Sequence, residues 1–221
     1  MSIIALHRIA ACQPLPVNFA LYATNHKGDE SMEPIISLPY SEYEAIVQIH
    51  RHFKKNDGFS VCVPVSRQQK GIDFIVLNTA NRKVLRFQVK GSRPYVPSSS
   101  DKKKDGAFKY TFWFNNFHDR FKPGVADVYV LFGLYPVYNE KKNIKSRTKF
   151  WESFVLAFTD DDMDKFLDSI RTKDGQRHDR FFYISFNELS EVIVTRGRKD
   201  RPNISQHLLK NQVPELLKQL L

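Results

Sequence analysis

The segments Gly71-Ile72-Asp73-Phe74 and Phe87-Gln88-Val89-Lys90-Gly91 decide the fold of this chain. Between them lies the polar turn Asn81-Arg82-Lys83, with apolar residues on both sides. That pattern predicts two strands, at about 72–78 and 83–89, joined by a short turn. If the strands pair as a hairpin, the acid of the first strand lies beside the second.

The second strand carries polar side chains on one face. Side chains at positions i and i+2 of a strand point to the same side of the sheet. Gln88 and Lys90 therefore share a face, while Phe87 and Val89 point into a core. A carboxylate (Asp73), an amide oxygen and an ammonium on one side of a sheet can bind a hard divalent cation and an attacking water. Such an arrangement is suited to cleaving phosphodiester bonds.

Elsewhere the pattern alternates between helix and strand. Ser41 opens a predicted helix, with Glu44 at its third position as in a capping box. Thr159 caps another helix, which we expect to run to about Ile170. A leucine-rich helical region follows Ile204, and Pro214 either splits it or starts a second helix. Further strands are predicted at 59–65, 108–114, 126–134, 151–158 and 181–186, so we expect an α/β fold with one mixed central sheet flanked by helices.

We expect three parts in the chain. Residues 1–37 form an N-terminal extension of uncertain structure. Residues 38–200 form the α/β domain, and residues 201–221 form a C-terminal helical segment. The 221 residues, 42% of them hydrophobic, suffice for one folded domain of moderate size.

Charge points to a polyanionic partner. The chain has 34 Lys and Arg against 24 Asp and Glu, a formal net charge of +10. Nucleic acid is the commonest partner of such a protein, although a basic surface without a partner is the alternative. The two cysteines, Cys12 and Cys62, form no zinc motif, so a reducing cytoplasm is expected. No apolar run is long enough to cross a membrane, and we expect no membrane partner.

Glu44 on an opening helix, Gly-Ile-Asp73 and Gln88-Val-Lys90 together resemble the PD-(D/E)xK nuclease superfamily. The glutamine in place of the second acid is similar to the QxK variant of Mrr-type restriction enzymes. The order of elements also resembles Holliday-junction resolvases and type II restriction enzymes. This resemblance covers roughly residues 40–158 and implies a restriction-endonuclease-like core.

The resemblance implies a role for each residue of the motif. Asp73 would be the main ligand of Mg²⁺ or Mn²⁺, with the Gln88 amide and the Val89 carbonyl as neutral oxygen ligands. Lys90 would hold or deprotonate the attacking water and stabilise charge on the phosphoryl oxygens. Glu44 would place the metal, directly or through water, with Glu42 as its rival. The structural alternatives are a strand-end aspartate, a solvated strand face and a capping glutamate.

Other polar residues are candidates for contact with DNA. Ser92 closely follows the lysine of the motif. His118, Asp119 and Arg120, after Trp113-Phe114-Asn115-Asn116, line a DNA groove or form an ordinary polar loop. The candidate phosphate-binding residues are Ser92, Lys102, Lys103, Lys104, Arg120, Lys122, Arg196 and Arg198.

The sequence leaves hypotheses of three classes open. The first is a metal-dependent DNA endonuclease. The second is a nucleic-acid-binding module that keeps the fold without the cleavage. The third is an interaction subunit, a possible homodimer in which the Leu208–Leu221 helix makes the contact. Asp73 and Lys90 favour the first hypothesis, and the basic charge favours the first two.

Overall fold

The structure, a computed structural model, describes residues 34–64, 71–92, 94–95, 108, 110–136, 151–186 and 191–221. They belong to one compact unit, Ser31–Leu221. Most of the predicted N-terminal extension, residues 1–33, lies outside the described residues. Residues 34–37 are part of the first helix.

The strands are short and mostly follow the predicted segments. In chain order they are β1 (Phe59–Cys62), β2 (Phe74–Asn78), β3 (Val84–Ser92), β4 (Pro94–Tyr95), β5 (Tyr110–Asn115), β6 (Val128–Pro136), β7 (Trp151–Thr159), β8 (Phe181–Phe186) and β9 (Val192–Arg196). The helices are α1 (Pro34–His50), α2 (Phe117–Arg120), α3 (Asp160–Asp168) and α4 (Leu209–Leu220).

The central sheet is mixed and five-stranded, in the order β1-β2-β3-β6-β7. Neighbouring strands are antiparallel except β3 and β6, which pair in parallel with Phe87 opposite Val128. The turn at Asn81-Arg82-Lys83 closes the β2–β3 hairpin, and Phe74 lies opposite Phe87. The prediction of an α/β fold with a mixed central sheet flanked by helices is confirmed.

A second sheet accompanies the first and was not predicted. It is antiparallel, with the order β4-β5-β8-β9. The sequence predicts strands at β5 and β8 but places them in a single sheet, because strand periodicity does not reveal which strands pair. Strand β9 was missed, since Val192–Arg196 is short and runs directly into a basic turn at Gly197.

Helix α1 begins earlier than predicted. It starts at Pro34, so Ser41 and Glu44 lie in its interior and the predicted capping box is wrong. Ser41 is only 3% exposed. Its Oγ would lie 2.9 Å from a Cβ built at Gly91 of β3. The small side chain at position 41 thus lets the helix approach the sheet closely.

The other two long helices show one confirmed prediction and one correction. The Thr159 side chain accepts a hydrogen bond from the Asp162 N–H and caps α3, as predicted. Pro214 does not split α4, which runs through it. A proline inside a helix removes one backbone hydrogen bond, and the buried face of α4 offsets that loss. This face comprises Leu209, Val213, Leu216 and Leu220.

Two hydrophobic clusters cover the opposite faces of the central sheet. One packs α1 and α4 against residues such as Phe87 and Val89. The other packs the second sheet and α3 against residues such as Leu131 and Leu156. A Cβ built at Gly133 of β6 would overlap the Phe112 ring of β5, so a glycine is required where the two sheets meet.

Candidate nuclease site

Strand β3 presents its two polar side chains as predicted. Phe87 and Val89 are buried at 0% and 6% exposure. Gln88 and Lys90 are half-buried on the opposite face, which is the face that packs against the second sheet. The alternation of side chains along β3 therefore places core residues on one face of the strand and the candidate site residues on the other.

Asp73 is held against β3 by both its backbone and its side chain. Its N–H donates to the Phe87 carbonyl at 2.8 Å. Its carboxylate Oδ2 accepts a hydrogen bond from the Val89 N–H at 2.6 Å. Since β2 begins at the next residue, Phe74, the Asp73 side chain takes the place of a strand partner for this part of β3. The carboxylate is thereby fixed at the backbone of Val89, the residue between Gln88 and Lys90.

Gly71 allows the chain to approach this point. Its φ is +94°, in the region that favours glycine, and a Cβ there would overlap the Val125 side chain. The same Cβ position lies 3.6 Å from the Gln88 amide nitrogen, which places Gly71 beside the polar face of β3. A glycine is therefore sterically required at the first position of the Gly-Ile-Asp segment.

Lys90 lies among charges of both signs. Burial lowers the pKa of its ammonium below the usual range, and the nearby Arg120 lowers it further. The carboxylates of Asp73 and Glu42 act in the opposite direction and raise the pKa. The residues predicted on separate strands, Asp73 and Lys90, are therefore close enough to interact electrostatically.

The structure separates the two rival acids of α1. Glu44 accepts a hydrogen bond from Gln48 Nε2 at 2.8 Å, and the same nitrogen lies 3.2 Å from Ser153 Oγ of β7. Strands β3 and β6 stand between β7 and β2 in the sheet. Glu42, in contrast, makes the smallest of the contributions to the pKa of Lys90, and it raises that pKa. The site role predicted for Glu44, with Glu42 as its rival, stays a prediction.

A pocket opens in front of Gln88 and Lys90. Its opposite wall comes from the end of β5 and from α2, where Asn116 adopts a left-handed conformation with φ 53°. Arg120 lines the pocket, as expected if the segment after Trp113 borders a groove. The pocket is lined by Gln88, Lys90, Asn115, Asn116, Phe117, Arg120 and Phe121. In the sequence, this wall is indicated by Asn115 and Asn116, which follow a strand of alternating aromatic residues.

The predicted phosphate-binding residues fall in different places. Arg120 lies at the pocket, and Lys122 follows α2 with its side chain exposed. The Ser92 hydroxyl donates to the Trp113 carbonyl at 2.6 Å and accepts from the Trp113 N–H at 2.9 Å, so it joins β3 to β5. Lys102, Lys103 and Lys104 lie outside the described residues.

The two arginines near the end of β9 differ from each other. The Arg198 guanidinium is paired with Asp200, with Nε 2.9 Å from Oδ1. Arg196 Nε lies 3.6 Å from Asp179 Oδ2, and its guanidinium carbon lies 3.9 Å from the centre of the Phe181 ring. Both belong to the second sheet or its turn rather than to the pocket.

The candidate site offers a cation one carboxylate, one side-chain amide and one backbone carbonyl. Among the described residues, no group of three His, Cys, Asp or Glu side chains converges. Mg²⁺ is commonly bound by one or two carboxylates, with waters and substrate phosphates completing its shell. Asp73, the Gln88 amide and the Val89 carbonyl fit that pattern. The pairing of β2 with β3 ends at Phe87, so Val89 has no partner residue in β2.

No protein family, no curated protein and no solved structure matches this chain. Within the described residues, no helix is both long and apolar enough to cross a membrane.

Proposed function

We propose that the protein is a metal-dependent DNA endonuclease. One observation supports this most strongly: Asp73 is hydrogen-bonded to the strand that carries Gln88 and Lys90, and the last two line a pocket with Arg120. An amide and two cationic groups around one pocket, with a carboxylate bonded to the strand that carries two of them, are suited to a phosphodiester. The net charge of +10 favours a polyanionic substrate.

Each residue has a role in this proposal. Asp73 would hold the cation, with the Gln88 amide oxygen and the Val89 carbonyl as further ligands. Bound Mg²⁺ supplies Lewis-acid stabilisation of the phosphoryl oxygens and lowers the pKa of a coordinated water. Lys90 positions the attacking water and stabilises negative charge on the phosphoryl group. Arg120 orients the phosphate from the opposite wall of the pocket, and the charge of Glu42 favours the protonated form of Lys90.

Plasmid nicking is the direct test. Supercoiled, linear, branched and single-stranded DNA are incubated with the protein in Mg²⁺, in Mn²⁺ and in EDTA. We expect cleavage with either metal and none in EDTA. Asp73→Ala and Lys90→Ala should each lower the rate by at least about 10²-fold. Lys83→Ala, which removes an exposed lysine at the turn of the same hairpin, is the matched control and should cut normally.

Two outcomes would contradict this assignment. Failure of the wild-type protein to cut any of these DNAs with either metal would exclude the endonuclease. Wild-type rates for Lys90→Ala would show that the chemistry lies elsewhere. DNA binding that persists without any cleavage would favour the binding module of the same fold.

Salt dependence separates both nucleic-acid functions from an interaction subunit. Each phosphate neutralised by lysine or arginine releases counterions, so affinity should fall on the order of 10³-fold between about 50 and about 200 mM salt for about six contacts. The Asp73→Ala protein should show the same slope. Absence of DNA binding at low salt would leave the interaction subunit, a possible homodimer, as the surviving hypothesis.

A further inference from the structure

The outer face of the second sheet carries aromatic side chains. In β5, alternate residues are buried, and Trp113 points away from the core with 37% exposure. Tyr95, on the neighbouring strand β4, is 40% exposed. Large aromatic side chains on the solvent side of a sheet are informative because burial would normally remove them from water.

These rings contact one another and form a continuous surface. The Trp113 ring lies 5.9 Å from Tyr95, 5.9 Å from Phe181 and 6.5 Å from Tyr183, all in edge-to-face geometry. We refer to Tyr95, Trp113, Phe181 and Tyr183 as the aromatic face. Cross-strand contacts hold each ring in place, so little side-chain entropy remains to be lost when a ligand stacks on it.

Positive charge accompanies the aromatic face. The Arg196 guanidinium lies over Phe181 at 3.9 Å and near Tyr183 at 5.3 Å. Arg180, the residue before Phe181, has a side chain that is 78% exposed, and its Nε lies 4.0 Å from Asp119 Oδ2. A planar guanidinium beside aromatic rings offers both a stacking surface and a charge for phosphate. This combination is complementary to a nucleic-acid strand rather than to an apolar protein surface.

The aromatic face is continuous with the candidate nuclease site. Ser92, two residues after Lys90 on β3, is hydrogen-bonded in both directions to the Trp113 backbone. Asn115, the next residue on the same side of β5 as Trp113, lines the pocket with Gln88 and Lys90. A strand whose phosphate enters the pocket would therefore have its neighbouring bases at the aromatic face.

We propose that the aromatic face binds unpaired DNA bases by stacking, next to the phosphate held in the pocket. Bases in a duplex are stacked on each other and cannot reach these rings, whereas every unpaired base offers an aromatic face. The substrate class is therefore DNA with a single-stranded portion, such as a flap or a fork. This inference depends on the proposed function for the choice of DNA as the ligand.

Binding is measured with the full chain, without divalent metal, so that cleavage does not interfere. Labelled single-stranded oligothymidylate, a forked duplex and a blunt duplex of equal length are titrated at one salt concentration. We expect the oligothymidylate and the forked duplex to bind more tightly than the blunt duplex. In Trp151→Phe protein, Trp113 is the only tryptophan of the chain, and its fluorescence should be quenched by the oligothymidylate.

Variants then assign the preference to the aromatic face. Trp113→Ala and Tyr95→Ala should each weaken binding of the single strand on the order of ten-fold, since stacking contributes that much per base. Both should leave blunt-duplex affinity nearly unchanged. Trp113→Phe should retain most of the preference. Tyr43→Ala, which removes a 64% exposed aromatic side chain of α1, is the matched control.

The possible outcomes separate this inference from the proposed function. Equal affinity for all three DNAs, or a preference that survives both alanine variants, would overturn the aromatic face as a base-binding surface. If Trp113→Ala fails to fold by thermal melting, Tyr95→Ala and Trp113→Phe decide. Absence of cleavage with Mg²⁺ concerns the proposed function alone, because binding is measured without metal.

Discussion

The Asp73 carboxylate accepts a hydrogen bond from the Val89 N–H, with 2.6 Å between Oδ2 and the nitrogen. The acid that precedes β2 is thus hydrogen-bonded to the backbone of β3 at the residue between Gln88 and Lys90. A charged acceptor on a backbone N–H makes one of the stronger hydrogen bonds of proteins. Asp73 therefore contributes to the fold as well as to the candidate site.

Substitution of Asp73 should separate these two contributions. Asp73→Ala leaves the Val89 N–H without its acceptor and should lower the free energy of unfolding by about 1–3 kcal/mol. Asp73→Asn keeps an oxygen acceptor and should retain most of the stability. Both variants should fail to cleave DNA with Mg²⁺. Urea denaturation and plasmid nicking measure the two effects, and equal stability of both variants would contradict the role of this hydrogen bond.

The two acids of α1 should differ in their effect on cleavage. The charge of Glu42 raises the pKa of Lys90, whereas Glu44 accepts a hydrogen bond from Gln48. We expect Glu42→Gln to lower the cleavage rate about ten-fold or more, the usual effect of removing a supporting group. Glu44→Gln should remain close to the wild-type rate. The reverse order would restore Glu44, the acid expected from the sequence.

The contact between Gly91 and Ser41 should be sensitive to added volume. A Cβ at position 91 would lie 2.9 Å from Ser41 Oγ and 3.3 Å from Ser41 Cβ. Gly91→Ala should therefore displace α1, destabilise the protein by about 1–3 kcal/mol and slow cleavage. Ser41→Ala removes the closer atom and should restore part of the stability in the double variant. No recovery there would show that the strain has another source.

Much of the central sheet could be predicted from the sequence, because its signals are local. The alternation in Phe87–Gly91 identifies a strand with one buried face, and Thr159 identifies the start of α3. The assignment of strands to two sheets could not be predicted, since it depends on pairing between distant segments. The capping box at Ser41 was predicted wrongly, because Ser41 and Glu44 form a local capping pattern whereas the backbone extends the helix back to Pro34.

The junction between the two sheets should tolerate little change at Gly133. A Cβ there would overlap the ring of Phe112, which is fully buried. Gly133→Ala should lower the free energy of unfolding by about 1–3 kcal/mol or more. Phe112→Leu in the same chain should relieve the overlap, so the double variant should be more stable than the sum of the single effects. Denaturant unfolding of all three proteins measures this coupling.

Stability should depend on pH through His207. Burial lowers the pKa of its imidazole, which stacks on Phe158 at 4.0 Å, although Asp162 and the Ala157 backbone raise that pKa. The unfolded chain takes up a proton near pH ~6.5 that the folded protein resists. Stability should therefore fall as the pH drops below about 6.5, until the folded protein is protonated as well.

His207→Gln tests that dependence, because glutamine keeps an N–H donor and does not titrate. We expect the variant to lose less stability than the wild type between about pH 7 and about pH 5. His50→Gln is a suitable control, since His50 is exposed at the end of α1. Parallel pH profiles for the wild type and His207→Gln would exclude this histidine as the source.

The paired hydrogen bonds between Ser92 and the Trp113 backbone make a rigid connection between the strand of the candidate nuclease site and the strand of the aromatic face. A base stacked at Trp113 and a phosphate held at Lys90 would then be kept at a constant separation. The connection would therefore set the distance between the stacked base and the phosphate that is cleaved. Cuts would fall at a set number of nucleotides from the point where a duplex opens, whatever the sequence on either side.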